Sequence, residues 1–286
     1  MAGEFLWDVA GPGRPIRTPG VAMAGFADRG RNPAGLRLIP HPAVTVALMF
    51  GPAEVVMADA AGRERRGSLV AGIGWQGTVG MRQAAGMRCV QVRLSPVVAR
   101  GILGVGPSEL GGELVSPRDL WGREAAELCE RLSERAGWDE RFALTDDWLG
   151  RRVARRPVDR EVAWAWRRIS GSRGLVRIED VAEQVGWSRK RLWARFHAQG
   201  GLPPKQAAKL VRFDRAAHRL AEGHGPAHVS ADCGYADQSH LHRDVMAFTG
   251  TTPVSVAREP FLAVDEVAWP GRVRPKAARR EARATR

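Results

Sequence analysis

The pattern of apolar and polar positions changes character near residue 119. Before it, short runs with strand character stand between Gly and Pro: Val44 to Phe50, Glu54 to Ala58 and Leu69 to Ile73. The segment MRCVQVRL, Met87 to Leu94, alternates apolar and polar positions as a half-buried strand does. Several short strands between turn signals predict an antiparallel β-sandwich or barrel-like domain with helices over residues 1–118. After it, Trp121, Ala125, Leu128 and Leu132 fall on one helical stripe, and Val162, Trp166 and Ile169 on another. Residues 119–172 are therefore expected to form a helical linker and a candidate dimerisation region.

From residue 173 the chain repeats itself. Val181, Ala182, Gly186 and Trp187 return as Val229, Ser230, Gly234 and Tyr235, an offset of 48. After one extra residue, Leu192, Phe196, Gly201 and Pro204 return as Leu241, Val245, Gly250 and Pro253, an offset of 49. Each copy spells a short helix, a glycine-centred turn, a second helix and a Gly-x-x-Pro stop, which is a helix-turn-helix. In the first copy Ile178, Val181, Ala182 and Val185 make the stripe of the supporting helix, and Gly186 supplies the backbone freedom a sharp turn needs. Ser188 and Asp237 stand where each second helix needs an N-cap, and Gly225 with Pro226 fits the start of the second supporting helix. Leu192 with Phe196, and Leu241 with Val245, dock the second helices at i, i+4. Between the copies, Pro203 to Glu222 predicts a rod of about 30 Å, with Ala207, Leu210, Val211 and Ala217 as packing residues. That length approaches the roughly 34 Å between successive major grooves on one face of DNA. The expected class is α+β: an N-terminal sandwich and a C-terminal all-α domain of two helix-turn-helix units over residues 173–258.

Charge sharpens this division. Residues 1–150 carry 17 Arg and no Lys against 17 acids, whereas the remaining 27 basic and 14 acidic residues, and with them the whole net +13, lie in residues 151–286. A basic half beside a neutral half points to a polyanion partner. The stretch from residue 259 to 286 reads as a basic, disordered tail; RVRPKAARREARATR from Arg272 would add salt-sensitive, sequence-independent affinity.

The segments VAEQVGWSRKRLWARF, Val181 to Phe196, and GYADQSHLHRDVMAFTGTTP, Gly234 to Pro253, resemble the two helix-turn-helix units of AraC-type transcription regulators. The resemblance covers about Leu175 to Arg258. It implies a regulator that binds double-stranded DNA through its C-terminal domain, with an N-terminal domain that senses a small-molecule effector or forms a homodimer. The chain departs from the family at Ala194, where many members carry arginine, at Val245, where Phe is commoner, and at Ser230, where Ala is commoner.

Helical geometry selects the groups that face away from the core. With Leu192 and Phe196 inward, Lys190, Ala194 and His197 point outward, with Arg191 and Trp193 on the flanks. The second unit gives Ser239, Arg243 and Met246 outward, with His240 and His242 on the flanks. Arg243 is the expected guanine reader, Lys190 its counterpart, and Ala194 fits a thymine methyl. Arg189, Arg191, Gln238 and Ser239 suit phosphate or flanking contacts. The expected DNA-binding set is thus Arg189, Lys190, Arg191, Trp193, Ala194, His197, Gln238, Ser239, His242 and Arg243.

Other chemistries fit less well. Cys233, His240 and His242 invite a metal, but residues at i, i+2 on a helix lie about 200° apart and do not converge on one ion. A metal-dependent enzyme, or a DNA-repair methyltransferase fused to a DNA-binding domain, is the alternative; the latter needs a reactive cysteine in a positive pocket, and Cys89 sits in a strand pattern without a histidine or CxxC context. GIGWQG, Gly72 to Gly77, has the glycine spacing of a dinucleotide loop but lacks the helix such a loop must open. No catalytic residue, metal or cofactor is expected. Three widely spaced cysteines, and neither a secretion signal nor a membrane span, fit a cytoplasmic protein that does not act at a membrane.

Overall fold

The computed structural model describes residues 7–29, 36–52, 54–59, 61–75, 77–83, 86–153 and 157–269. In chain order its strands are β1 (Trp7–Ala10), β2 (Val21–Asp28), β3 (Leu36–Leu38), β4 (Val44–Met49), β5 (Val56–Ala58), β6 (Glu64–Arg66), β7 (Leu69–Ala71), β8 (Val79–Gln83), β9 (Arg88–Leu94) and β10 (Leu114–Val115). Two sheets result, ordered β1-β2-β9-β4-β7-β10 and β3-β8-β5-β6. Every pairing is antiparallel. The expected strands are present, trimmed by a residue or two at their ends.

Register explains why β4 is almost wholly apolar. Val46 stands opposite Val92 and Val70, while the next pairs set Thr45 opposite Arg93 and Ala71. Alternate residues therefore serve opposite faces. Val44, Val46, Leu48, Val70, Val90 and Val92 pack in one core with the helices. Ala47, Leu69, Ala71 and Cys89 pack in a second core between the sheets, with Phe26, Met57 and Met81. Since both faces of the large sheet are buried, its central strands lose the clean alternation of a half-solvated strand.

Helices α1 (Pro96–Leu103), α2 (Pro117–Trp121), α3 (Arg123–Ser133), α4 (Trp138–Val153) and α5 (Arg160–Gly171) follow the sandwich. The stripe read as one helix from Asp119 is two, because Gly122 takes φ 58°, ψ −135° between α2 and α3. Ala125, Leu128 and Leu132 are buried on α3, and Val162, Trp166 and Ile169 on α5. In α4, Phe142, Trp148 and Leu149 are buried beside the polar Arg141, Thr145 and Asp146. Asp146 accepts from the Thr18 backbone N–H at 3.1 Å and its hydroxyl at 2.6 Å, tying the N-terminal segment to this helix.

The C-terminal helices are α6 (Ile178–Gln184), α7 (Arg189–Gly200), α8 (Pro204–Ala221), α9 (Pro226–Asp232), α10 (Gln238–Thr249), α11 (Pro253–Val256) and α12 (Pro260–Ala268). Helix α12 corrects the disordered tail expected from residue 259. Phe261 stacks on Trp7 with ring centroids 4.4 Å apart, and Leu262 and Trp269 are buried, so apolar contacts order this segment despite the basic residues that follow. The tail proper, from Arg272, lies outside the described residues.

Candidate nucleic-acid interface

Both helix-turn-helix units form where the repeat places them. In the first, Val181 and Ala182 of α6 and Leu192 and Phe196 of α7 are buried. Gly186 turns the chain at φ 68°, and Ser188 caps α7 by accepting the Arg191 N–H at 3.2 Å. In the second, Gly234 turns at φ 71° and Asp237 accepts the His240 N–H at 2.7 Å. Both glycines occupy the left-handed region that side chains with a Cβ avoid. Leu241 and Val245 are fully buried, and Gly225 and Pro226 open α9 as expected. Ser230, where alanine would be usual, donates its hydroxyl to the Pro226 carbonyl at 2.8 Å and so buries no unsatisfied group.

Helix α8 joins the two units. Its 18 residues span about 27 Å, with Ala207, Leu210 and Ala217 fully buried and Val211 only half-buried. Asp244, which outward-face reasoning passed over, fixes α10 to this rod. It is buried, accepts from Arg212 at 2.9 Å, and lies 3.5 Å from Lys209. Its place three residues after Leu241, beside Val245, was the available signal that it faces inward. Arg195 is likewise committed: its guanidinium donates to both oxygens of Asp159 at 2.7 and 2.8 Å, tying α7 to α5.

Arg189, Lys190, Arg191, Trp193 and Ala194 of α7 are exposed, as are Gln238, Ser239, His242 and Arg243 of α10. His197 is half-buried, its ring 5.1 Å from that of Trp193. His240 turns back to the edge of Tyr235, also at 5.1 Å, whereas His242 is exposed. Among the described residues no cluster of three or more His, Cys, Asp or Glu is arranged to hold a metal.

Two features of this surface cost stability. Arg189, Lys190 and Arg191 crowd three cations into the first turn of α7, facing the positive end of its dipole. Each such charge costs on the order of 0.3–1 kcal/mol at low ionic strength. Trp193 and Met246 are 51% and 38% exposed at the same surface, against the usual placement of large apolar groups. Arg191 also stacks over Trp187 at 4.6 Å.

The two units rest on the sandwich through a buried polar cluster. Arg93 of β9 donates to Asp265 of α12 at 2.9 Å and to His41 Nε2 at 3.1 Å, and lies 4.1 Å over the Trp269 ring. His41 Nδ1 meets Asp214 of α8 at 2.8 Å, and His218 Nε2 meets Asp265 at 2.7 Å. Burial pushes the Asp265 carboxyl up, but Arg93 and His218 outweigh it and hold it well below the usual carboxylate range. Burial, reinforced by the Arg93 charge, pushes His41 down to about 4.

Comparison with known proteins bears on the same region. The family described as "Helix-turn-helix domain" matches residues 181–259. These residues are an AraC-type helix-turn-helix domain. A curated relative, the uncharacterized HTH-type transcriptional regulator YbfI of Bacillus subtilis (strain 168), is 32% identical over 66 residues, 23% of this chain and 24% of that one. The match thus spans about a quarter of the relative's length. Among solved structures, ToxT from Vibrio cholerae O395 bound to (E)-4-(8-methylnaphthalen-1-yl)but-3-enoic acid has a TM-score of 0.49 at 10% identity, covering 84% of this chain and 99% of that one. The C-terminal domain of AraT, a response regulator from Geobacillus stearothermophilus, has a TM-score of 0.33 at 20% identity over 35% of this chain and 86% of its own.

Proposed function

We infer that this chain is a sequence-specific DNA-binding transcription regulator that reads two adjacent major grooves with α7 and α10. The observation that carries the reading is the unfavourable trio Arg189, Lys190 and Arg191 at the start of α7; the corresponding face of α10 has no such trio but exposes the polar Gln238, Ser239 and His242 and one cation, Arg243. A phosphate backbone offsets the cost of such charges, and an exposed guanidinium on the outward face supplies base discrimination. Arg243 and Lys190 are assigned to bases, Ala194 to a thymine methyl, and Arg189, Arg191, Gln238 and Ser239 to phosphates or flanking edges. Trp193, His197 and His242 complete the contact surface.

Residues 1–118 serve as the regulatory domain, controlled by a small-molecule effector or by homodimer formation; residues 119–172 link it to the DNA-binding domain of residues 173–258. The protein works in the cytoplasm without a catalytic centre, cofactor or membrane partner. The methyltransferase alternative needs a thiolate, and burial pushes the Cys89 thiol up to about 12. No helix among the described residues is long and apolar enough to cross a membrane.

Titrating the full chain with genomic DNA fragments over rising salt tests the reading. The expected result is a steep fall of affinity with salt and retention of a distinct subset of fragments under competitor DNA; uniform retention of all fragments would contradict it.

A further inference from the structure

The sandwich encloses a cavity between its sheets, walled by apolar groups that include Phe26, Met57, Met81 and Met87. Two uncharged polar atoms at its wall have no hydrogen-bond partner among the described residues. They are the indole Nε1 of Trp75 and the hydroxyl of Thr45, on side chains only 4% and 5% exposed. An indole N–H buried without an acceptor is costly in a folded protein, so an orphan of this kind calls for a partner. The cations at the same cavity are already matched. Arg37 pairs with Glu259 at 2.7 Å, and Arg93 with Asp265 at 2.9 Å. A carboxylate ligand would have to displace one of these acids, whereas a neutral acceptor meets Trp75 with no charge to compensate. The methionines, unbranched and adaptable, let such a wall fit the ligand's shape.

Trp75 lies in the GIGWQG segment, which the dinucleotide reading leaves without a role. In the structure this turn between β7 and β8 touches the end of both reading helices. Gly74, at φ +69°, lies so close to Leu202 that a Cβ would stand 2.7 Å from its Cδ1, and Ile73 Cγ2 would stand 2.8 Å from a Cβ on Gly201. Gly201 is the C-cap of α7. Gly77 donates its N–H to the Phe248 carbonyl at 2.9 Å, one of the last carbonyls of α10 and without a donor inside its helix.

We propose that the cavity binds an uncharged, mainly apolar small molecule that offers a hydrogen-bond acceptor to the Trp75 indole N–H, and that Ile73, Gly74 and Gly77, on either side of Trp75, pass its presence to both helix-turn-helix units. This rests on the reading of the sandwich as the regulatory domain. The Thr45 hydroxyl supplies a second polar contact for the same ligand. Any shift of the indole moves Gly74 and Gly77, which hold the ends of α7 and α10, so a single turn acts on both reading helices together.

Nuclear magnetic resonance on the full chain, with cyclohexanone and cyclohexanecarboxylate as matched probes, tests this. The Trp75 indole N–H signal is assigned by its loss in Trp75→Phe. Cyclohexanone is expected to move that signal and the Gly77 amide signal with one saturable curve, and to bind Trp75→Phe about fivefold more weakly, the worth of one ordinary hydrogen bond. Thr45→Val, a near-isosteric change, is expected to weaken binding without abolishing the Trp75 shift. An unmoved Trp75 signal, or cyclohexanecarboxylate binding as tightly as cyclohexanone, overturns the ligand class; a Trp75 shift with the Gly77 signal fixed overturns the relay. Binding of selected DNA by the same sample without probe is scored separately. Its loss would sink the regulator reading, whereas intact DNA binding with a silent Trp75 sinks only this inference.

Discussion

Arg93 and Asp265 stand 172 residues apart in sequence and 2.9 Å apart in space, both buried, one in the central sheet and the other in the last described helix. A buried pair of this kind adds less than its Coulomb energy suggests, but removing one partner strands the other. Asp265→Ala is expected to cost about 3–5 kcal/mol of stability. The double variant Arg93→Met with Asp265→Leu should recover the part that comes from stranding the Arg93 charge, but not the bonds lost by His41, His218 and the Trp269 indole. Urea unfolding of the two variants and the wild type checks this, and a double variant as unstable as the single one would contradict it.

The same cluster sets a pH dependence. Arg93 donates to His41 Nε2 while Nδ1 faces Asp214, so the buried ring is neutral. The unfolded chain protonates His41 near 6.5 and the folded chain only near 4. Below pH 6.5 the unfolded state therefore binds more protons, and the stability present above that pH falls until about pH 4. Asp265, held low, contributes stability above the carboxylate range that is lost as pH falls through it. His41→Asn should flatten the slope of stability against pH between 4 and 6.5 by up to about 1.4 kcal/mol per pH unit, one proton's worth. Unchanged slopes in urea titrations would refute the assignment.

Two arginines separate reading from holding. Arg243 is exposed on α10, its Nε donating to the Ser239 carbonyl at 3.3 Å, and Arg189 is exposed at the start of α7, 3.6 Å from Glu179. Arg243→Ala should relax preference at one base pair by about 1–3 kcal/mol. Arg189→Ala should weaken all sequences alike and lower the salt slope by about one. Competition binding against single-base variants of a selected site distinguishes these; equal effects of both on every sequence would count against the roles.

A backbone contact gives a sharper stability test. Gly174 takes φ +77°, and a Cβ there would lie 2.1 Å from the Ala208 carbonyl oxygen; Gly223 takes φ +88° with open space around it. Gly223→Ala should cost roughly 1–2 kcal/mol from conformation alone. Gly174→Ala should cost about 1–3 kcal/mol more, because helix α8 must shift. Equal melting temperatures for the two variants would contradict this packing.

The helix-turn-helix units were legible because their determinants are local and occur twice: glycine turns, Ser188 and Asp237 caps, and i, i+4 anchors. The sandwich was legible in outline, through strands whose apolar runs stand out. The cluster of His41, Arg93, Asp214, His218 and Asp265 was not, since each residue alone looks like a group facing water and only the tertiary fold collects them. Helix α4 escaped because Arg141, Thr145 and Asp146 interrupt its apolar stripe while being buried themselves. Helix α12 was hidden by the basic sequence beyond it, and GIGWQG by its likeness to an unrelated loop.

Footprinting of the full chain on a site selected from genomic DNA is the most direct test of two-groove reading. Methylation protection of guanines should fall in two major-groove patches about 10 base pairs apart on one face, with Arg243→Ala erasing one patch and leaving the other. A single patch, or protection that follows no sequence, would contradict the assignment of α7 and α10 as paired reading helices.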